Sequence, residues 1–130
     1  MSTNTFLKIG GAVAILFGIG WLVFPRFMAD TYGVKTIGDA ILVTRFLGLT
    51  SIGLGLVGIL VSQSTDWTAL RGAAVGNAVG SILGVVVSVW YTMHGALNSA
   101  GWSAVILYGI FFLGFAYYAM SGETLVARRA

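Results

Sequence analysis

The chain has 130 residues, of which 58% are hydrophobic and only 8% are charged, and its mean hydropathy is +0.94. Soluble domains carry about 25% charged residues, so this composition excludes a water-soluble fold and indicates a protein of the lipid bilayer. The formal net charge of +3 comes from seven basic residues that do not cluster, which argues against nucleic-acid binding. Cysteine is absent, which excludes disulfides, thiolate metal sites and thiol redox chemistry.

Four apolar runs are each close to the ~20 residues that cross a hydrocarbon core as a helix. The first covers about residues 6–24, and we interpret it as a membrane span because it continues into Pro25 without an A-x-A-like cleavage site. The others cover about residues 40–61, 72–93 and 101–120. Lipid cannot satisfy free backbone polar groups, and the runs lack the alternation of barrel strands. The sequence therefore predicts an all-α integral membrane four-helix bundle in a single domain, 1–130.

The connections between the runs are short. Residues 25–39 mix charged and aromatic side chains, which predicts an interfacial turn or short amphipathic helix. Residues 62–70 form a polar loop, and residues 94–100 form a turn rich in small polar residues. Because short loops make sequential helices antiparallel neighbours, we expect an up-down-up-down arrangement.

The basic residues divide unequally between the two sides of a four-span bundle. One side holds Lys8, Arg71, Arg128 and Arg129, and the other holds Arg26 and Lys35. The positive-inside rule therefore predicts a multi-pass membrane protein with both termini in the cytoplasm.

A stripe of small residues runs along the third span at every fourth position, namely Gly72, Gly76, Gly80, Gly84 and Ser88. Small residues at this spacing let another helix backbone approach closely, so the stripe is predicted to be a helix-packing face. The preferred partner is a helix of the same chain, and the alternatives are another subunit or a lipid tail. Shorter sets of small residues occur in the first span (Gly10, Ala14, Gly18) and the second (Gly48, Ser51, Gly55, Gly58).

Aromatic rings surround the fourth span, at Tyr108, Phe111, Phe112, Phe115, Tyr117 and Tyr118. A four-helix interior cannot enclose them all, so some must face lipid, a partner subunit or an apolar cofactor. We expect lipid contact, with Tyr117 and Tyr118 anchoring the inner interface.

Arg45 is the most informative polar residue, because a charged side chain at the bilayer centre costs about 2.5 kcal/mol or more. It lies near the start of the second span, so its guanidinium either reaches the headgroups or turns inward toward Asp30, Asp39, Tyr91 and His94. The inward alternative predicts a ligand-binding site formed by Arg45, Trp21, Tyr91 and His94. His94 is the only histidine, and it is interpreted as a capping or solvated side chain in preference to a metal or haem ligand.

Catalytic constellations are missing, since no paired carboxylate, metal-ligand cluster or nucleophile motif occurs. We therefore expect no enzymatic activity and no metal. Uncharged polar residues inside the spans, such as Asn77 and Thr50, are expected to form interhelical hydrogen bonds. No carboxylate lies in the middle of a span, which makes a channel or transporter the least favoured function.

The second span reads T-R-F-L-G-L-T-S-I-G-L-G-L-V-G from Thr44 to Gly58. It is preceded by F-P-R-F-M-A-D-T-Y-G-V at 24–34 and followed by H-G-A-L-N-S-A-G-W at 94–102. This order resembles the broad DoxX-like group of small four-helix membrane proteins. The resemblance implies the four-helix fold and a link to quinone-dependent sulfur oxidation and membrane redox complexes, with Arg45 and Gly48 at the matching positions.

The leading functional hypothesis is a non-catalytic accessory or structural subunit of a larger membrane assembly. The chain would bind membrane lipids and either other membrane subunits or further copies of itself, without a nucleic-acid partner. The alternative is a lipid- or quinone-binding membrane protein whose site lies near Arg45. No cofactor is expected beyond such a bound lipid or quinone.

Overall fold

The structure is a computed structural model that describes residues 1–35 and 38–127. Five helices follow one another: α1 (Thr3–Val23), α2 (Pro25–Thr31), α3 (Ala40–Val61), α4 (Trp67–Met93) and α5 (Gly101–Ala127). No strand occurs in these two segments. The prediction of an all-α fold is confirmed, while Arg128 and Arg129 of the topology prediction lie outside the described residues.

Four of the helices are long and apolar enough to cross a membrane: Thr3–Val23, Ala40–Val61, Trp67–Met93 and Gly101–Ser121. The second span has the predicted bounds, whereas the first and third helices begin earlier than predicted. Both helix starts are stabilised by N-caps, in which Ser2 accepts from the Thr5 amide and Asp66 accepts from the Thr68 amide. The remaining helix, α2, begins at Pro25 and confirms the expected element between the first two spans.

The first close pair of helices is α1 with α3, whose backbones touch at glycines. A Cβ placed on Gly11 would lie 2.6 Å from the Gly55 carbonyl oxygen, and one on Gly48 would lie 2.6 Å from that of Gly18. The order of the two pairs is reversed along the chain, so the helices are antiparallel. There is no room for a Cβ at these positions, so the two backbones lie close enough for dispersion and Cα–H···O attraction. These forces must drive association where lipid removes the hydrophobic effect.

The second close pair is α4 with α5. A Cβ on Gly84 would lie 2.6 Å from the Tyr108 ring, and one on Gly101 would collide with Thr92. These contacts also run in reverse order, so α4 and α5 are antiparallel. The four spans therefore form the predicted up-down-up-down bundle.

The two pairs meet in a core at the end that carries the N-terminus. Phe6 of α1 packs edge-on against Phe115 with ring centroids 4.8 Å apart, and it also contacts Tyr118 at 5.3 Å. Leu7 and Leu70, each 1% exposed, belong to the same buried cluster. This end of α1 thus packs against the beginning of α4 and the later part of α5.

The aromatic residues of α5 are divided between the core and the outside. Phe115 and Tyr118 are buried, whereas Tyr117 is 59% exposed. The expectation that both tyrosines anchor the interface is wrong for Tyr118, because Gly114 lets the Phe6 ring approach α5 and the neighbouring rings close around it.

Polar side chains within the spans bond to their own helices. Thr50 donates to the Phe46 carbonyl at 2.9 Å, and Asn77 donates to the Ala73 carbonyl at 2.8 Å. The expected interhelical hydrogen bonds are absent for these two residues, because both are exposed and the carbonyl one turn earlier is within reach.

The glycine contact between α1 and α3 predicts unequal effects of one substitution at two positions of α3. Gly55→Val should destabilise the bundle by about 1–3 kcal/mol because its side chain overpacks the Gly11 backbone. Gly53→Val is the matched control, since a Cβ at Gly53 would meet no atom within 4 Å. Reversible unfolding of both variants in mixed micelles, followed by circular dichroism, measures the difference. Equal stabilities would contradict the backbone contact.

Candidate functional site

The four residues predicted to form a ligand site occupy separate surroundings. Trp21 stacks on Tyr32, with ring centroids 6.2 Å apart and an interplanar angle of 16°. No hydrogen bond, ion pair or ring contact joins any two of Arg45, Trp21, Tyr91 and His94 in the described part of the chain. They share one end of the bundle without touching one another.

His94 is the C-cap residue of α4. Its ring stacks on Trp90 with centroids 4.1 Å apart, and its Nδ1 lies 2.8 Å from the Trp90 carbonyl oxygen. The backbone N–H of His94 donates to the same carbonyl. These contacts fit the capping interpretation, because the last carbonyls of a helix lack intrahelical partners. Among the described residues, no group of three or more His, Asp or Glu side chains is placed to hold a metal ion.

Arg45 lines an open groove at the junction of α1, α2 and α3. The groove also contains Arg26, and its other walls are apolar, formed by Val23, Phe24, Pro25, Phe27 and Ile41. Arg45 is exposed and lies five residues into α3, about 7 Å from its start at 1.5 Å per residue. Of the two alternatives for Arg45, the inward one finds no support, since Asp30, Asp39, Tyr91 and His94 form no ion pair or hydrogen bond with it.

The groove exists because the chain changes direction after α1. Phe24 has φ −120° and ψ 53°, outside the helical region, and Pro25 occupies the first turn of α2. Proline lacks an N–H and cannot continue the preceding helix, but its fixed φ suits the start of the next one. Arg26 therefore leaves the α1 axis and faces the first turns of α3. Sequence reasoning missed Arg26 as a partner of Arg45 because it lies outside the apolar runs.

The small-residue stripe of α4 is only partly covered by the chain. A Cβ at Gly72, Gly76 or Gly80 would meet no atom within 4 Å. Gly84 instead packs against Tyr108, and Ser88 is buried. The prediction of packing within the chain is therefore wrong for the first three glycines.

The geometry of the α-helix explains this division. At 3.6 residues per turn, each step of four residues rotates the stripe by about 40° around the helix. The glycines at the start of α4 and the residues at its end therefore lie on different faces. The buried face instead begins with Leu70, Ala74 and Ala78, and these residues turn toward α1 and α5.

A polar tether joins the two helix pairs at the end opposite the core. The Asn98 amide donates to the Tyr32 carbonyl at 3.0 Å, and its side-chain Nδ2 donates to the Thr31 carbonyl at 3.0 Å. Asn98 Oδ1 also accepts from the Ala100 amide. Gly33 has φ +72°, and a Cβ there would lie 3.0 Å from Asn98 Cβ, so the contact requires glycine at this position.

Comparison of the chain with models of protein families, with curated proteins and with solved structures finds no match. The resemblance to the DoxX-like group therefore stays a prediction. The fold itself defines the class: four apolar helices of spanning length make this a multi-pass membrane protein built as a four-helix bundle.

The tether predicts a local effect of Asn98→Ala. Loss of two side-chain hydrogen bonds should open the contact and increase amide exchange in residues 31–35 and 94–100 about tenfold. Hydrogen–deuterium exchange with mass spectrometry measures this change. Asn77→Ala is the control, because its amide bonds only within α4. Unchanged exchange in Asn98→Ala would show that the tether contributes nothing to local stability.

Proposed function

We propose that the protein is a non-catalytic accessory or structural subunit of a larger membrane assembly and that α4 supplies the binding surface. The observation that carries this proposal is the open face of α4, defined here as Gly72, Gly76 and Gly80. All three residues are exposed, and no part of the described chain approaches them.

The open face has the chemistry that membrane helices use to associate. Glycines offer a smooth backbone surface, so a second helix can approach closely without ordering any side chain at these positions. The same chemistry already holds α1 against α3 within the chain, through Gly11 with Gly55 and Gly18 with Gly48. An equivalent glycine surface on α4 without a partner supports contact with another subunit.

The exposed side chain of Asn77 also supports contact between α4 and a helix of another subunit. It lies near the middle of α4, where an exposed amide faces hydrocarbon, and only its Nδ2 has a hydrogen bond, to Ala73 of the same helix. An asparagine at such a position gains an interhelical hydrogen bond when a polar group of another helix comes within reach, at about 0.6 kcal/mol on average. Asn77 lies about 100° around the helix from Gly76 and about 60° from Gly80. A partner that extends from the open face past Gly80 would therefore gain both close backbone packing and a polar contact.

The proposed orientation places both termini in the cytoplasm. Lys8 and Arg71 lie near the same end of the bundle, because their neighbours Leu7 and Leu70 share one core. The positive-inside rule favours the cytoplasm for this end.

A second candidate function is the binding of a lipid or quinone near Arg45. The groove that Arg45 shares with Arg26 and apolar side chains favours it. A channel or transporter remains the least favoured function, because no carboxylate lies inside any of the four candidate spans.

The assembly proposal predicts that Gly76→Leu prevents association without unfolding the chain. The leucine has open space around it within the chain but blocks close approach of a second helix. Native mass spectrometry after extraction in mild detergent, from the native membrane, should show the wild-type chain with a stoichiometric protein partner and the variant largely alone. Helicity from circular dichroism should be unchanged.

Gly53→Leu is the matched control, since Gly53 also faces open space but lies on α3. It should retain the partner. A wild-type chain that is monomeric under these conditions would overturn the proposal, as would a partner retained equally by both variants.

A further inference from the structure

The groove between α2 and α3 brings two arginines together without a counter-charge. Arg26 and Arg45 both line it, and no acidic residue does. Asp30 follows Arg26 by one helical turn, yet it forms no ion pair with either arginine. Among the residues of the described segments, neither guanidinium has a hydrogen-bond or ion-pair partner.

Two guanidinium groups in one groove repel each other. An anion that enters the groove removes the repulsion and accepts hydrogen bonds from both side chains. Each guanidinium is a planar fork of N–H donors that matches the oxygens of a phosphate group. The pair therefore favours a phosphate-bearing anion over a neutral ligand.

The rest of the groove fits an acyl chain. Phe24, Phe27 and Ile41 supply apolar walls next to the arginines, and Phe24 and Phe27 are 60% and 70% exposed. The groove lies where α1 ends and α3 begins, which is the level of the lipid headgroups for helices of spanning length. An amphipathic ligand can thus place its charge on the arginines and its tail against the aromatic rings.

We propose that this groove binds the phosphate headgroup of an anionic phospholipid through Arg26 and Arg45. The inference deepens the second candidate function by naming the ligand class and a second binding residue. It does not depend on the assembly proposal, because the groove contains no residue of α4. A zwitterionic phospholipid binds less well, since its cationic headgroup has no acidic side chain to meet within the groove.

The test uses the full chain, delipidated in detergent and then titrated with phosphatidylglycerol or phosphatidylcholine, with bound lipid counted by native mass spectrometry. Arg26→Gln and Arg45→Gln should each lower phosphatidylglycerol retention about tenfold, as expected for loss of a charge-assisted hydrogen bond. Arg71→Gln is the matched control, an exposed arginine at the opposite end, and should bind like the wild type. Circular dichroism verifies that each variant remains helical.

Several outcomes would overturn the inference. Equal loss of lipid in Arg71→Gln would mean that binding follows net charge, and equal retention of the two lipids by the wild type would mean that the groove does not select an anionic headgroup. Inorganic phosphate that binds without lipid and displaces phosphatidylglycerol at equal concentration would assign the groove to free phosphate. Retention of an isoprenoid benzoquinone in place of phosphatidylglycerol would reject the headgroup but preserve the lipid-or-quinone function.

Discussion

The direct backbone contact between α1 and α3 is the interaction on which the other features of this bundle depend. Gly11 with Gly55 and Gly18 with Gly48 bring the two helices together at two points, seven residues apart on each helix. Since lipid offers no hydrophobic drive for helix association, the attraction must come from dispersion and weak hydrogen bonds at short range. Two such points fix both the distance between the helices and their register. Arg45 precedes Gly48 by about one turn, so this register places it beside the end of α1 and the start of α2.

Helix number and span positions were predictable because hydrocarbon imposes simple requirements on length and apolarity. The starts of α1 and α4 were less predictable, since they depend on the Ser2 and Asp66 caps, which lie outside the apolar runs. The spacing of glycines along a helix determines whether they stay on one face of it. A step of seven residues returns to nearly the same face, with a drift of about 20°, whereas steps of four accumulate rotation. The seven-residue spacing of Gly48 and Gly55 keeps both glycines on the face that meets α1, whereas Gly72, Gly76 and Gly80 meet no other part of the described chain.

The candidate site shows a similar boundary between what sequence can and cannot establish. Span positions give the level of each residue along the membrane normal, and this is why Arg45, Trp21, Tyr91 and His94 share one end of the bundle. The level of a residue along the membrane normal does not determine in which direction its side chain points around the helix axis. Neighbouring aromatic rings also attract each side chain. Trp21 finds Tyr32 and His94 finds Trp90. Arg26 lines the groove because the chain turns at Phe24 and Pro25. The hydropathy pattern does not show this turn.

The two ends of the bundle are held by different forces, and this difference bears on where ligands and partners bind. Apolar and aromatic side chains join the two helix pairs near the N-terminus, where the rings of Phe6, Phe115 and Tyr118 close the interior. At the opposite end, Asn98 joins the two pairs through hydrogen bonds to the Thr31 and Tyr32 carbonyls. Such bonds are worth about 1 kcal/mol each, so this end opens more easily than the core. A charged headgroup bound between Arg26 and Arg45 would hold α2 against α3 at the weaker end. Lipid composition would then tune how firmly α2 is held against α3, while the open face of α4 stays available to a partner.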